Sequence, residues 1–226
     1  MKIDFKGFTD QGQFRKENQD CFWGAEHSFG YSFLVCDGMG GLEKGREAAA
    51  IAVKRIRENV ASTSDGWKAI SVEECARRVN SEIIANSKNS GTTMSYLSID
   101  NTTGEFEIVH IGDSRIYALY EDGVRKLLTE DHSVIAEMQR KNYQLSEEFI
   151  KANQSKLTRC LGIDGNVECF RAKGSMDGIK GFILASDGYW HWLEEIGECE
   201  DFEEFVRRAR SFGEKDNITA IVVNVE

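Results

Sequence analysis

Six short apolar segments with strand character constrain the fold of this chain more than any other feature of its sequence. They cover residues 33–36, 94–99, 106–111, 116–120, 181–185 and 218–225. Turn signals rich in Gly, Asn and Asp separate several of them. Because 94–99, 106–111 and 116–120 follow one another with short gaps, these three segments predict an antiparallel meander.

Three segments with helical periodicity accompany the strands, and each has a single apolar face. The first covers about residues 43–60, the second begins at Ser71, where Ser71 and Glu74 form a capping-box pattern, and the third starts near Asp201. A helix with one apolar face must bury it, so these helices are expected to cover the outer faces of sheets. The polar segment 133–156, with a helix start at Ser146, is interpreted as an insertion beside the sheets.

Composition favours one intracellular domain that spans residues 1–226. The chain has 41% hydrophobic residues and no linker, repeat or low-complexity segment. Its net charge of −10 argues against nucleic-acid binding. The N-terminus lacks the apolar core of a secretion signal, no run approaches the roughly 18 apolar residues of a membrane span, and the six cysteines form no C-x-x-C pair. We therefore expect a cytoplasmic monomer without membrane attachment.

Five aspartates abut apolar segments at positions where strands of a sandwich would end at a common rim. They are Asp20, Asp37, Asp113, Asp187 and Asp216. Crowded carboxylates repel one another, and a divalent cation would relieve that repulsion. Oxygen ligands without His or Cys favour Mg²⁺, Mn²⁺ or Ca²⁺ over zinc. Asp-Gly and Asp-Asn are also ordinary turn formers, so the pattern by itself leaves both a metal site and a set of turns open.

Seven motifs, in order along the chain, resemble those of one known family. They are Arg15-x-x-Asn18-x-Asp20, Asp37-Gly38-Met39-Gly40-Gly41, Ser90-Gly91-Thr92-Thr93, Gly112-Asp113-Ser114-Arg115, Leu128-Thr129-Glu130-Asp131-His132-Ser133, Ser186-Asp187-Gly188 and Asp216-Asn217. The chain resembles the compact bacterial members of the PPM family, the type 2C metal-dependent Ser/Thr protein phosphatases, over roughly residues 4–225. The resemblance implies an α+β fold, a four-layer αββα sandwich of two antiparallel sheets flanked by helices.

The resemblance also implies a metal centre that holds two Mg²⁺ or Mn²⁺ ions. Asp37 would bridge both ions, and the backbone carbonyl of Gly38 would bind one of them. Asp20 would assist at one ion directly or through water, while Asp187 and Asp216 would hold the other. A water or hydroxide that bridges the ions would attack phosphorus.

Two further positions and one segment match family features outside that pair of ions. Asp113, together with Asp187, matches the position that supports a third, weaker ion in bacterial members. Arg15 matches the arginine that grips the substrate phosphate, and 133–156 corresponds to the variable flap. The implied substrates are phosphoserine and phosphothreonine in proteins, made by a Ser/Thr kinase. A catalytically weak phosphoprotein-binding module and a hydrolase of small phosphomonoesters stay open as alternatives.

Three residues depart from the family pattern. Gln19 stands where a Glu is usual, which predicts weaker metal affinity. Met39 stands where animal members carry a histidine proposed as general acid, and His191 stands where an acidic residue is frequent.

Gly38-Met39-Gly40-Gly41 is interpreted as a tight turn that exposes the Gly38 carbonyl, with a phosphate-cradling loop as the alternative. His110, inside a strand pattern, is expected to be a packed, hydrogen-bonded residue rather than a catalytic one.

Overall fold

Groups of helices interrupt runs of consecutive strands in a computed structural model, which describes residues 2–40, 44–62, 64–86, 89–163, 167–198 and 201–226. The strands are β1 Ile3–Asp10, β2 Asp20–His27, β3 Gly30–Gly40, β4 Ser90–Thr92, β5 Met94–Asp100, β6 Glu105–Ile111, β7 Arg115–Tyr120, β8 Arg125–Leu127, β9 Phe170–Ser175, β10 Ile179–Ala185 and β11 Ile218–Val225. The helices are α1 Lys44–Ser62, α2 Ala69–Asn86, α3 Val134–Arg140, α4 Glu147–Asn153, α5 Asp187–Trp190, α6 Leu193–Ile196 and α7 Phe202–Ser211.

Two antiparallel sheets form the centre of the fold. One has the order β1-β11-β10-β7-β8, and the other has the order β2-β3-β5-β6-β9 with the short β4 paired to the end of β3. Their inner faces share one apolar cluster, to which Phe33 and Leu97 come from the second sheet and Phe182 and Val223 from the first. The sheets therefore pack face to face.

Helices cover the outer face of each sheet, which completes the predicted four-layer αββα arrangement. Ala52 and Ile56 of α1 and Val79 of α2 pack against Leu34 and Tyr96 of the second sheet. A third apolar cluster joins α5, α6 and α7 to the outer face of the first sheet. In the part of the chain that the structure describes, no helix is long and apolar enough to cross a membrane.

The predicted meander is wrong at its third strand. β5 pairs with β6 in one sheet, but β7 pairs with β10 and β8 in the other sheet. The chain crosses between the sheets in the three residues from Gly112 to Ser114, and Gly112 adopts a φ of 111° that favours glycine. This crossing places Asp113 at the end where the two sheets meet.

The predicted start of the second helix at Ser71 is also wrong, because a residue of the neighbouring sheet caps this helix. α2 begins at Ala69, whose N–H donates to Glu107 Oε2 over 2.9 Å. Ser71 lies inside the helix, and its hydroxyl accepts from Asn59 Nδ2. Asp201, by contrast, caps α7 as expected, and Ser146 caps α4 within the segment 133–156.

Candidate active site

Asp20 and Asp37 face each other on neighbouring strands. They are register partners in the β2–β3 pair. The Gly38 N–H donates to the Gln19 carbonyl over 3.2 Å, so the adjacent Gln19–Gly38 pair is the hydrogen-bonded one. In an antiparallel ladder the next pair is then the close, non-hydrogen-bonded kind, with Cα atoms about 4.5 Å apart. Strand register alone thus brings two carboxylates together.

The other three aspartates reach the same rim from the first sheet and from the crossing between the sheets. Asp187 begins α5 directly after β10, and Asp216 lies two residues before β11. β10 and β11 are antiparallel neighbours whose residues Ala185 and Ala220 pair. The end of one strand and the start of the other are therefore side by side.

Hydrogen bonds between the two sheets fix this rim. Ser186 Oγ, at the end of β10, donates to Asp20 Oδ2 over 2.8 Å. The Gln19 N–H donates to Asn217 Oδ1 over 3.0 Å. The start of β2 is consequently held against the end of β10 and the start of β11.

Burial and mutual repulsion raise the pKa values of the clustered aspartates. For Asp37, burial is the largest cause, followed by the charges of Asp20, Asp187, Asp113 and Asp216, and its pKa lies well above the usual 3.8. The pKa of Asp187 is raised well above its usual value for the same reasons, burial first. Burial raises the pKa of Asp20 and that of Asp113 to about 6. Four carboxyls whose pKa values all rise together form a site that resists being ionised without a counter-charge.

The site fits hydrated divalent cations. Asp187 Oδ1 is buried and has no hydrogen-bond partner among the described residues, so one carboxylate oxygen is left unsatisfied. No group of three His, Cys, Asp or Glu side chains within the described ranges is arranged to hold an ion by protein ligands alone. Mg²⁺ binds through one or two carboxylates and retains several waters, which agrees with both observations.

Gly38 lies in a strand, so its interpretation as part of a tight turn is wrong. β3 continues through Gly40 and pairs with β4, with Gly38 opposite Thr92, while Gly41 lies outside the described residues. A Cβ on Gly38 would lie 2.2 Å from the Gly45 carbonyl oxygen, so only glycine fits. The Gln19 N–H, the register partner of the Gly38 carbonyl, is directed to Asn217 instead. The Gly38 carbonyl is thereby left without that ladder bond.

Arg15 lies at the edge of the aspartate cluster on an exposed segment between β1 and β2. Its Nη2 donates to Asp216 Oδ2 in a short ion pair. Partial burial lowers the pKa of Arg15, but the hydrogen bond and charge of Asp216 outweigh it and the pKa is raised. The fixed positive charge therefore lies beside an expected metal ligand.

Several supporting residues were not found by sequence reasoning. The indole N–H of Trp190 donates to the backbone carbonyl of Asp113 over 2.9 Å. The Arg115 guanidinium lies 3.4 Å from the centre of the Trp190 ring and also bonds Asp131 Oδ2 over 2.7 Å. Arg115 and Asp131 both occur in recognised motifs, but nothing in the sequence indicated that they pair.

Hydroxyl groups hold the backbone around Asp37. The Asp37 N–H donates to Thr93 Oγ1 over 2.8 Å, and Thr93 Oγ1 lies 2.7 Å from Ser114 Oγ. Ser114 therefore helps to hold Thr93 in place beside Asp37.

His110 and His132 hold the backbone near the rim through hydrogen bonds, and His110 is a packed, hydrogen-bonded residue as expected. Nε2 of His110 faces the carbonyl oxygens of Gly112 and Glu130, each at 3.1 Å, so this nitrogen carries the proton. Burial lowers the pKa of His110 to about 4. The Gly112 N–H donates to His132 Nδ1 over 3.1 Å. Together they fix the loop that carries Asp113.

Comparisons with known proteins identify relatives of this chain in sequence and in fold. Residues 13–223 match the family described as protein phosphatase 2C. The chain is 30% identical to the serine/threonine phosphatase stp of Listeria monocytogenes serovar 1/2a, over 99% of this chain and 95% of that protein. The serine/threonine phosphatase of S. agalactiae superposes with a TM-score of 0.84 at 26% identity, with 100% of both chains covered. The phosphatase Stp1 of Staphylococcus aureus has a TM-score of 0.85 at 20% identity, covering 100% of this chain and 96% of that one, and shows likeness of fold.

Proposed function

The chain belongs to the protein phosphatase 2C family, and from this premise we propose that it is a Ser/Thr protein phosphatase whose aspartates hold two Mg²⁺ or Mn²⁺ ions. Its substrates are phosphoserine and phosphothreonine in proteins, supplied by a Ser/Thr kinase. It acts in the cytoplasm as a monomeric single domain, with 133–156 as the flap.

One observation carries the proposal. The buried, unpartnered Asp187 Oδ1 belongs to a group of aspartates that raise one another's pKa values. Isolated turns would not bring carboxylates from both sheets to one place. Burial of these carboxylates without a counter-charge would destabilise the protein. A site that binds cations accounts for both the clustering and the missing partner.

The position of each group supports the proposed ligand roles. Asp37 interacts with all four other aspartates and is suited to bridge two ions, with Asp20 opposite it and the Gly38 carbonyl beside it. Asp187 and Asp216, at the ends of neighbouring strands, are suited to a second ion. When bound, the ions would supply Lewis acidity and lower the pKa of coordinated water enough to give a nucleophile at neutral pH.

Asp113 is assigned to a third, weaker ion together with Asp187. The charge of Asp113 is the largest cause after burial of the raised pKa of Asp187, which supports a shared site. Its loop is held by His132, Trp190 and the crossing at Gly112.

Arg15 is assigned to the substrate phosphate. A guanidinium presents a planar pair of N–H donors that matches two phosphoryl oxygens and stabilises the negative charge on them. In this structure the guanidinium pairs with Asp216. An Asp216 carboxylate that binds a cation would leave Arg15 available to bind an anion.

Gln19, which stands where a Glu is usual in the family, forms a side-chain hydrogen bond. Its Nε2 donates to Glu17 Oε1 over 3.0 Å. A Glu in its place would add a negative charge near the ions, which favours their binding, although this charge would also lie beside Glu17.

The test is hydrolysis of a phosphothreonine peptide with Mn²⁺, with and without a chelator, by the wild type and by Asp37→Asn. We expect turnover only in the wild type with metal. Substantial turnover in the chelator, or in Asp37→Asn, contradicts the mechanism. A catalytically weak phosphoprotein-binding module would bind the peptide in every case and hydrolyse it in none.

A panel of substrates separates the remaining alternative. Phosphoserine, phosphothreonine and phosphotyrosine peptides are compared with sugar phosphates at equal concentration. A protein phosphatase for Ser and Thr prefers the first two peptides, whereas a small-phosphomonoester hydrolase prefers the sugar phosphates.

A further inference from the structure

A groove with a volume of about 680 Å³ lies between β2 and α1, next to the aspartate cluster. Asp20, at the start of β2, lines the groove together with Phe22 of the same strand. From α1 come the apolar Val53 and the two cations Lys54 and Arg57. The groove therefore leads from an expected metal ligand to a positively charged stretch of helix.

The two cations are exposed to an external partner. Neither Lys54 nor Arg57 forms a salt bridge with a carboxylate of the described residues. Lys54 is close enough to Glu82 to contribute to the lowered pKa of that carboxyl, but Glu82 is already paired with Arg55 over 2.8 Å. Glu58, the acidic residue of the helix that also lines the groove, is held by Arg55 over 2.9 Å. Because Arg55 offsets the charge of Glu58, and Asp20 lies at the other end of the groove, Lys54 and Arg57 make the helix side of the groove positive in a protein of net charge −10.

We propose that this groove binds an acidic segment of the substrate phosphoprotein, on the same chain as the phosphorylated residue. The inference rests on the proposed function and adds a substrate preference to it. The carboxylates of the segment pair with Lys54 and Arg57, and aliphatic parts of its side chains contact Phe22 and Val53. Charge complementarity selects this occupant over a basic or apolar peptide.

The geometry of α1 sets the distance between the acidic residues and the phosphate. Gly45, at the start of α1, abuts Gly38, since a Cβ on Gly45 would lie 2.9 Å from the Gly38 oxygen. Lys54 and Arg57 follow Gly45 by nine and twelve positions. A rise of about 1.5 Å per residue places them roughly 14 and 18 Å along the helix. An extended peptide spans about 3.3 Å per residue, so the favoured acidic residues lie about four to six positions from the phosphorylated one.

The experiment compares phosphothreonine peptides that differ only in charge. One has Glu at four to six positions on the N-terminal side, a second has Glu at the same distance on the C-terminal side, and a third has Gln at all these positions. With the Mn²⁺-loaded enzyme, we expect one Glu peptide to have a kcat/KM about three- to tenfold above the Gln peptide, as two exposed ion pairs predict. The gain lies in KM, because contacts remote from phosphorus bind ground and transition states equally. The difference in kcat/KM between the Glu and Gln peptides should shrink at about 0.5 M salt, because salt screens exposed ion pairs.

Lys54→Gln/Arg57→Gln should remove this preference and leave hydrolysis of the Gln peptide and of para-nitrophenyl phosphate unchanged. The matched control is Lys6→Gln/Lys180→Gln, which removes two exposed cations from a groove on the outer face of the other sheet. It should retain the preference. Equal kcat/KM for all three peptides, or a preference that persists in Lys54→Gln/Arg57→Gln, overturns the groove proposal. Failure to hydrolyse any phosphate ester would instead overturn the proposed phosphatase function.

Discussion

Replacing Asp20 by Asn should make the metal-free protein more stable, although it removes a metal ligand. Asp20 is buried, and burial outweighs its hydrogen bonds from Thr219 and Ser186, so its pKa rises from 3.8 to about 6. A carboxyl whose folded-state pKa is raised contributes its full stability below about pH 4, and this contribution is lost as the pH rises through about 6. The difference corresponds to on the order of 3 kcal/mol at pH values well above 6.

Asn removes this cost but keeps an oxygen that can accept from Ser186 Oγ. We expect Asp20→Asn in chelator at about pH 8 to unfold with a free energy about 1–3 kcal/mol higher than the wild type. For a chain of this length each kcal/mol raises Tm by about 2–4 °C. At about pH 4, where Asp20 is protonated, the two proteins should unfold alike. Saturating Mn²⁺ should reverse the order, because only the wild type retains the full ligand set.

The assay is urea unfolding followed by tryptophan fluorescence in chelator at both pH values, then repeated with Mn²⁺. Asp122→Asn, in the exposed turn between β7 and β8, is the control and should change stability by less than about 0.5 kcal/mol. The reasoning is refuted if metal-free Asp20→Asn is less stable than the wild type at pH 8. It is also refuted if the variant gains as much at pH 4 as at pH 8, since the gain would then not come from charge.

Four further predictions concern single side chains. Arg15→Lys should lower kcat/KM for a phosphothreonine peptide by about tenfold or more, because one charge-assisted hydrogen bond is worth about 1.5–3 kcal/mol; an unchanged kcat/KM excludes Arg15 from phosphate binding. Gly188→Ala should lower the free energy of unfolding in urea by more than about 2 kcal/mol, because its Cβ would lie 2.1 Å from the backbone carbonyl oxygen of Asn217. A decrease below about 0.5 kcal/mol would contradict that contact. Burial holds the pKa of His110 at about 4, so its contribution is present above pH 6.5 and is lost as the pH falls towards 4. The difference in unfolding free energy between the wild type and His110→Asn should therefore decrease as the pH falls over that range. A difference that stays constant with pH would contradict this reasoning. Gln19→Glu should lower the Mn²⁺ concentration for half-maximal activity by adding a charge beside Asp20, and an unchanged Mn²⁺ titration counts against this expectation.

The sequence predicted the layers of the fold well because its signals for them are local. A one-sided apolar helix must cover a sheet, and short β-branched segments between turn residues must form strands, wherever they lie in the chain. Most central strands, α1 and the start of α7 were therefore found close to their observed positions, although the segment 33–36 covers only the middle of β3. β1 and β9, whose exposed residues alternate with more buried ones, have weaker apolar signals and were not predicted.

Errors arose where a distant residue supplied the deciding contact. Glu107 caps α2 from β6, so the helix begins before the Ser71 pattern. The Gly38 segment continues as a strand because β4 pairs with it, and no local signal marks that partner. The crossing of the chain at Gly112 divides an apparent meander between two sheets.

The sequence by itself determined which residues are available for the chemistry: carboxylates next to strand ends, one arginine in a polar loop and a set of motifs that resemble one family. Only the tertiary structure decided that these carboxylates share one rim, that Arg15 pairs with Asp216, and that Trp190 and His132 hold the Asp113 loop. The physical reason is range. Strand and helix formation depends on neighbouring residues, whereas raised pKa values and unsatisfied ligand atoms arise from groups that lie far apart in the chain and are brought together by packing.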